Sequence, residues 1–170
     1  MKSNHPFWQI IHTIPNFPKE GIDFYDITPL LYNHVSELID ALLAELSPSL
    51  LEQIDCFAVT EARGFVIGSL LSGRTGKPLM LIRKKGKLPP PVFSESYGLE
   101  YGEDTLEIKA DLPISNVLLV DDVLATGGTL KASKILCQKA GHTVLGALVL
   151  LDLTKLHGDI GMPSYHVMSA

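Results

Sequence analysis

The stretch Val117-Leu118-Leu119-Val120-Asp121-Asp122-Val123-Leu124-Ala125-Thr126-Gly127-Gly128-Thr129 decides the fold. Its apolar start predicts a buried strand at 117–120, followed by a loop at 121–128 and a helix from about 129 to 139. A strand that is apolar throughout is typical of a parallel sheet covered on both faces. The acids and glycines then lie at the carboxyl end of that strand, which is where such sheets bind ligands.

The rest of the chain alternates apolar runs with helical patterns and predicts one domain over residues 1–170. We expect an α/β fold with an open, doubly wound, mainly parallel sheet flanked by helices. A small N-terminal segment (about 1–29) precedes the sheet, and a flexible loop and hairpin (about 83–108) interrupts it. The other predicted strands are 57–59, 78–82, 144–151 and 165–168, and the other predicted helices are 28–46, capped by Thr28, and 65–72, closed by Gly73 and Gly76.

The loop after the strand at 117–120 combines two kinds of chemistry. Residues 125–129 offer backbone N–H groups at a helix N-terminus, a ready anion site, and Gly127 and Gly128 permit positive φ and close approach of an oxygen. Ionised Asp121 and Asp122 only accept hydrogen bonds, so they suit a neighbour that carries hydroxyl donors. A ribose 5-phosphate has both features, and the carboxylates can also recruit Mg²⁺.

Motifs, charge and hydropathy argue against several other classes of protein. The stretch lacks the Gly-Lys-Ser/Thr ending of a Walker A loop, and the chain has no G-x-G-x-x-G fingerprint. A net charge of −5 argues against a nucleic-acid or anionic-membrane partner. No apolar run approaches the roughly 18 residues of a membrane span, and the N-terminus has no signal-peptide pattern. With two cysteines outside any CxxC pair, the sequence predicts a cytoplasmic protein.

The stretch at 117–129 resembles the signature with which type I phosphoribosyltransferases bind 5-phosphoribosyl-1-pyrophosphate (PRPP). The resemblance implies that Asp121 and Asp122 hold the ribose hydroxyls. It implies that the 5′-phosphate is held by Ala125, Thr126, Gly127, Gly128 and Thr129. It also implies Mg²⁺ bound through PRPP, near the two carboxylates, and a homodimer.

Four further segments resemble the adenine branch of that family. In the first, residues 17–29, the resemblance implies a hood over the base, in which Phe24 stacks on adenine and the backbone of Asp23 and Tyr25 reads its edge; Val123 completes the adenine contacts. The family usually has an aliphatic residue at the position of Asp23 and Arg at that of Tyr25. A phosphoribosyltransferase for hypoxanthine, guanine or xanthine therefore stays an alternative.

The other three segments contribute the reacting groups. In Thr60-Glu61-Ala62-Arg63-Gly64-Phe65, the resemblance implies that Arg63 binds pyrophosphate. In the basic loop at 81–89, Arg83 and Lys87 are the candidates for further pyrophosphate contacts, because four cations in an acidic protein suit a phosphate-rich ligand. In the segment 94–102, the resemblance implies that Glu100 is the general base and that Tyr101 closes over the ribose and pyrophosphate; with Arg63 they are the candidate catalytic residues.

Together the segments imply transfer of the phosphoribosyl group from PRPP to adenine. A non-catalytic PRPP sensor that regulates transcription is an alternative from another class. Such a regulator would need an added DNA-binding module, whereas the segments above account for roughly residues 13–156.

Overall fold

The computed structural model describes residues 2–98 and 103–170. A short 3₁₀ turn (Pro6–Gln9) begins this part of the chain. The helices are α1 (Thr28–Asn33), α2 (Val35–Ala44), α3 (Pro48–Gln53), α4 (Arg63–Thr75) and α5 (Gly128–Lys139). The strands are β1 (His12–Ile14), β2 (Phe24–Asp26), β3 (Cys56–Thr60), β4 (Leu79–Lys84), β5 (Val92–Gly98), β6 (Glu103–Lys109), β7 (Asn116–Leu124), β8 (Thr143–Asp152) and β9 (Ser164–Ser169).

Within the described residues, the central sheet has seven strands in the order β5-β6-β4-β3-β7-β8-β9. The run from β4 to β9 is parallel, whereas β6 and β5 add an antiparallel hairpin at one edge. From β3 the chain moves through α4 to β4 on one side, and from β7 it moves through α5 to β8 on the other. The carboxyl ends of β3 and β7 therefore flank the point where the strand order reverses, which is where open α/β sheets bind ligands.

The sheet has a hydrophobic core on each face, which confirms the doubly wound α/β fold. On β3, Phe57 and Val59 point into a core with α2 and α4, while Cys56 and Ala58 point into a second core with α5. Successive strand residues face opposite sides of a sheet, so β3 serves both cores and all five of its residues are buried.

The N-terminal segment forms a small antiparallel ribbon outside the central sheet. Its two strands, β1 and β2, pair Ile14 with Phe24 and His12 with Asp26. Phe7 and Ile11 are buried in the core that α2 and α4 share with the sheet. This packing fixes the ribbon beside the carboxyl ends of β3 and β7.

The predicted end of the central strand was wrong. We expected it to stop at Val120, but β7 continues to Leu124, because β8 pairs with it in parallel as far as Leu124 and Asp152. Asp121 and Asp122 therefore lie inside a strand and not in a loop. Both side chains approach the start of α4, Asp121 at Gly64 and Asp122 at Arg63.

The helix predicted over 28–46 was also wrong, since it is two helices. His34 interrupts it with φ −135° and ψ 36°, which are not helical values. Thr28 does not cap the helix: the Asp26 carboxylate accepts hydrogen bonds from the Thr28 backbone N–H (2.9 Å) and hydroxyl (2.6 Å). The acid before the helix satisfies its first donors in place of the threonine.

Two further boundaries differ from the sequence prediction. Arg83 and Lys84 belong to β4 and not to a loop, because they pair with β6. The helix α4 runs through Gly73 and ends only at Gly76, whose φ of 71° is the left-handed value typical of a helix C-terminus. Within the described residues, none of the helices combines the length and apolar character that a membrane span requires.

Candidate active site

The carboxyl ends of β3 and β7 approach each other so closely that only glycine fits between them. A Cβ on Gly64, at the start of α4, would lie 2.8 Å from the Val120 carbonyl oxygen and 3.2 Å from Asp121 Oδ1. A side chain there would push α4 away from the acidic pair. The small residue therefore brings the segment at 60–65 against β7.

Asp121 and Asp122 differ in their surroundings. Asp121 Oδ1 accepts a hydrogen bond from the Asp122 backbone N–H at 2.9 Å. Burial, and then the neighbouring Asp122 charge, raise the pKa of Asp121 to about 8, although a hydrogen bond from Thr60 acts in the opposite direction. These surroundings therefore favour the neutral form of Asp121 more than water does.

Asp122 is paired with Arg63, the residue that the sequence resemblance assigns to pyrophosphate. Arg63 Nε lies 2.7 Å from Asp122 Oδ2, and the Asp122 side chain is only 8% exposed. Within the described residues this buried oxygen accepts no hydrogen bond, so the contact is an ion pair and the oxygen keeps its acceptor capacity. A carboxylate in this state suits a hydroxyl donor of a ligand.

Arg63 also contacts the N-terminal ribbon. Its guanidinium carbon lies 4.8 Å from the centroid of the Phe24 ring, within the distance of a cation–π contact. The structure thus brings together Phe24, Arg63 and Asp122, which are separated by 39 and 59 positions in sequence. Arg63 spans the gap between the hood and the acidic pair.

The loop between β7 and α5 surrounds an open depression of about 290 Å³. Gly127 precedes α5 with φ 80°, a left-handed value that favours glycine. Gly128 does not have a positive φ, because it already begins the helix. The lining residues are Asp121, Val123, Leu124, Ala125, Thr126, Gly127, Gly128, Thr129 and Leu130.

The hairpin β5–β6 lies over this loop through Tyr97, a residue to which the sequence analysis assigned no role. The Tyr97 ring is 3.6 Å from the position of a Cβ on Gly128, and its hydroxyl is 3.4 Å from Thr129 Oγ1. The two proposed reacting residues, Glu100 and Tyr101, lie outside the described residues. Their described neighbours Gly98 and Glu103 pair with each other across the hairpin.

The N-terminal ribbon separates its aromatic residues between two faces. Phe24 meets Phe17 edge to face at 5.1 Å and faces Arg63. Tyr25 points the other way, because it packs against Trp8 at 5.8 Å and against the core. The Tyr25 side chain is thus directed away from the side on which Phe24 meets Arg63, and Asp23 is exposed.

Two cations at the end of β4 are paired with carboxylates beside it, Glu61 directly after β3 and Asp104 in β6. Arg83 Nε lies 2.9 Å from Glu61 Oε2, and its guanidinium also lies over the Phe65 ring at 5.7 Å. Lys84 forms an ion pair with Asp104 at 2.9 Å. Lys87 is exposed, and its backbone carbonyl faces Arg83 at 3.5 Å. Arg83 and Lys87 are thus neighbours at the same edge of the sheet as Arg63.

This arrangement can hold a ligand with three chemical parts. The N-terminus of α5 attracts an anion, the acidic pair accepts hydroxyl groups, and Phe24 presents an aromatic ring to a flat base. The cations at the ends of β3 and β4 add positive charge between these parts. Among the described residues, no group of three or more His, Cys, Asp or Glu side chains could hold a metal ion by itself.

Known proteins share the sequence and the fold of this chain. Residues 29–167 match the model of the phosphoribosyl transferase domain. A relative from Borreliella burgdorferi named adenine phosphoribosyltransferase is 46% identical over 173 residues, covering 99% of this chain and 97% of the relative. The solved adenine phosphoribosyltransferase of Thermoanaerobacter pseudethanolicus superposes with a TM-score of 0.89 at 38% identity, covering 96% and 98% of the two chains. The enzyme of Saccharomyces cerevisiae, solved with an imino-altritol bisphosphate and adenine, gives 0.88 at 34% identity over 95% and 96%.

Proposed function

The chain belongs to the phosphoribosyl transferase family, among its adenine phosphoribosyltransferases, and from this premise we propose how its site works. The reaction transfers the 5-phosphoribosyl group of PRPP to N9 of adenine and releases AMP and pyrophosphate, a step of purine salvage. This chemistry needs a phosphate site, acceptors for the ribose hydroxyls, cations for the leaving diphosphate and a surface for the base.

One observation carries the residue assignment. The buried Asp122 Oδ2 is without a hydrogen bond among the described residues and lies on the strand that leads directly into the loop at the N-terminus of α5. An acceptor for hydroxyls and a site for an anion are therefore joined by a few residues of one chain segment, as a ribose 5-phosphate requires. We assign the 5′-phosphate to residues 125–129 and the ribose hydroxyls to Asp121 and Asp122.

The base and the diphosphate take the other two sides of the site. We assign adenine to Phe24 and Val123, with the backbone of Asp23 and Tyr25 at its edge, because Phe24 faces the site whereas the Tyr25 ring faces the core. Arg63, Arg83 and Lys87 take the pyrophosphate, for which a guanidinium offers a fork of donors. PRPP binding would then compete with Asp122 for Arg63 and with Glu61 for Arg83.

In the reaction, the cations stabilise the negative charge that develops on the diphosphate as its bond to C1 of the ribose breaks. Adenine N9 attacks C1 from the opposite face, and Glu100 accepts the proton that N9 loses. Tyr101 covers the ribose. The fixed groups of β7 and α5 hold the sugar in place, so positioning supplies much of the rate enhancement.

The carboxylates of Asp121 and Asp122 are chemically suitable ligands for Mg²⁺. Carboxylate oxygens are ligands that Mg²⁺ prefers. Asp122 Oδ2 pairs with Arg63 but accepts no hydrogen bond in the part of the chain that the structure describes. When bound with PRPP, the ion supplies positive charge against the diphosphate, and Asp121 and Asp122 are the side chains that would contact it. PRPP itself would provide most of the remaining oxygen ligands.

The family resemblance also supports a homodimer in the cytoplasm. Size-exclusion chromatography with light scattering should give twice the chain mass of 18.5 kDa. A mass of one chain at micromolar concentration would contradict the dimer. Imaging of a tagged chain in its source cells would test the location.

A base-panel assay tests the activity. The purified protein receives PRPP, Mg²⁺ and either adenine, hypoxanthine, guanine or xanthine, and both nucleotide and pyrophosphate are measured. We expect AMP and pyrophosphate in equal amounts with adenine, and product from no other base. Turnover of hypoxanthine, guanine or xanthine would assign the protein to another purine phosphoribosyltransferase. Asp23 and Tyr25 would then be the cause of the changed base specificity.

A further inference from the structure

His157 lies behind residues 125–129, the loop that we assign to the 5′-phosphate and here call the phosphate loop. Each of its two ring nitrogens faces a hydrogen-bond acceptor. His157 Nε2 lies 2.7 Å from Asp152 Oδ1, and its Nδ1 lies 2.8 Å from the Gly158 carbonyl oxygen. A carbonyl and a carboxylate both accept hydrogen bonds, so both nitrogens have to donate. The geometry therefore selects the doubly protonated, positively charged imidazole.

The surroundings of this pair agree with a charged ring. Asp152 is buried at the end of β8, and the His157 side chain is 12% exposed. Burial opposes the charge, but the hydrogen bonds to Asp152 and Gly158 outweigh it and raise the pKa of His157, whereas Lys131 on α5 lowers it. His166 on β9 faces the second carboxylate oxygen, with its Nδ1 3.5 Å from Asp152 Oδ2.

The pair fixes the chain segment that connects β8 to β9, here called the β8–β9 connection (residues 153–163). At its start the Leu153 N–H donates to the carbonyl oxygen of Leu124 at 2.8 Å, just before the phosphate loop. Near its end, Lys134 of α5 donates to the Gly161 carbonyl oxygen at 2.5 Å. The connection is thus anchored to β7 on one side and to α5 on the other.

Between these anchors, Ile160 packs against the phosphate loop. A Cβ on Gly127 would lie 2.8 Å from Ile160 Cγ2, and Ile160 is only 5% exposed. Gly127 is the residue with the left-handed φ that turns the chain into α5. Any displacement of Ile160 therefore changes the support of that turn, because close-packed groups transmit displacement to their neighbours.

We propose that His157 is a positioning residue for the reaction: its ion pair with Asp152 holds the β8–β9 connection so that Ile160 supports the phosphate loop at Gly127. His157 contacts no substrate and acts through Ile160. The inference rests on the proposed phosphate site at residues 125–129. Loss of the ion pair loosens that site and weakens PRPP binding, while the base side and the proton transfer stay intact.

The test compares His157→Gln with wild type in steady-state kinetics. A misplacement of about 1 Å at a distance can cost roughly a hundredfold. Because Ile160 transmits only part of the change, we expect KM for PRPP to rise about tenfold, with kcat and KM for adenine within about twofold. Titration calorimetry with AMP should show the same weakening. His34→Gln is the matched control, because His34 pairs with Glu37 on the surface, and it should change none of these constants.

A second variant tests the route through Ile160. Ile160→Ala should raise KM for PRPP by a similar factor, and the double variant should show much less than the product of the two single effects, as coupled residues do. Three results would overturn the proposal. The first is an unchanged KM for PRPP in His157→Gln, and the second is an equal loss in all kinetic constants together with a lower Tm. The third is independent effects of the two substitutions in the double variant. Wild-type turnover of adenine in the same assay separates these outcomes from a failure of the assigned activity.

Discussion

The two sides of the site are built in different ways. The ribose-phosphate side is one continuous stretch, β7, a short loop and the start of α5, so its acceptors and N–H donors follow each other along the chain. The base and diphosphate side is assembled from the N-terminal ribbon, the start of α4, the end of β4 and the hairpin. Its members meet only through contacts such as that of Arg63 with Phe24 and Asp122.

This difference determines what a substitution does. If residues 125–129 bind the phosphate as proposed, the backbone itself is the ligand-binding group on the continuous side, so damage there should affect PRPP and every later step. On the assembled side, each side chain serves one part of the substrate, so a substitution should affect adenine or diphosphate separately. The predictions below test this division.

The largest effect should come from Gly127→Ala. The new Cβ would lie 2.8 Å from Ile160 Cγ2. The alanine would also have to adopt φ 80°, at a backbone cost of about 1–2 kcal/mol. We expect kcat/KM for PRPP to fall by about a hundredfold or more, measured by initial rates.

Gly76→Ala is the control for this variant. Gly76 has φ 71° but nothing within 4 Å of a new Cβ, so it has the same backbone cost without the crowding. It should lower Tm and leave KM for PRPP unchanged. A similar loss of PRPP affinity in both variants would show that destabilisation, and not the loop, is responsible.

Arg63→Lys should have the next largest effect. A lysine keeps the charge but loses the planar fork and the contact with the Phe24 ring. We expect kcat/KM for PRPP to fall about thirtyfold, which is about 2 kcal/mol for a charged hydrogen bond. Arg74→Lys is the matched control, because Arg74 pairs with Asp40 on the surface at 2.8 Å; equal effects in the two variants would remove Arg63 from the site.

Phe24→Leu should act on adenine alone. The variant loses the aromatic face for the base, an interaction of about 1–3 kcal/mol, so KM for adenine should rise about tenfold while KM for PRPP stays the same. Tyr25→Phe, on the opposite face of the same strand, should change neither constant nor the base preference. A change of preference in Tyr25→Phe would contradict the orientation of that ring towards Trp8.

The remaining effect acts on the free energy of unfolding and its pH dependence, and not on substrate binding. The pKa of Asp121 is raised to about 8, so the folded form holds a proton that the unfolded chain releases near 3.8. The associated stabilisation is complete below pH 3.8 and is lost as the pH rises to about 8. Chemical denaturation should show wild type losing stability relative to Asp121→Asn between pH 5 and 8, by at most about 1.4 kcal/mol per pH unit; a constant difference would contradict the raised pKa.

The sequence allowed the continuous side to be predicted in detail and the assembled side only in outline. The glycines, hydroxyls and acids of residues 121–129 are adjacent in the chain, so local chemistry was sufficient to predict an anion site there. The extent of β7 was not predictable in this way, because its last residues are strand only through pairing with β8. The break at His34 likewise depends on how α1 and α2 pack.

The residues that sequence reasoning missed all act through distant partners. Glu61 holds Arg83, Tyr97 lies over Gly128, and His157 fixes the segment that supports Gly127. No local sequence pattern marks these residues. Glu61 and Tyr97 contact residues that are 22 or more positions away, and His157 acts through Ile160. Glu100 and Tyr101 stay predictions, since they lie outside the described residues.

A crystal structure of the protein with AMP tests the central assignment most directly. We predict the phosphate of AMP against the backbone N–H groups of residues 125–129, the ribose hydroxyls at Asp121 and Asp122, and the adenine ring on Phe24. AMP bound with its phosphate away from this loop, or with its base away from Phe24, would contradict the assignment.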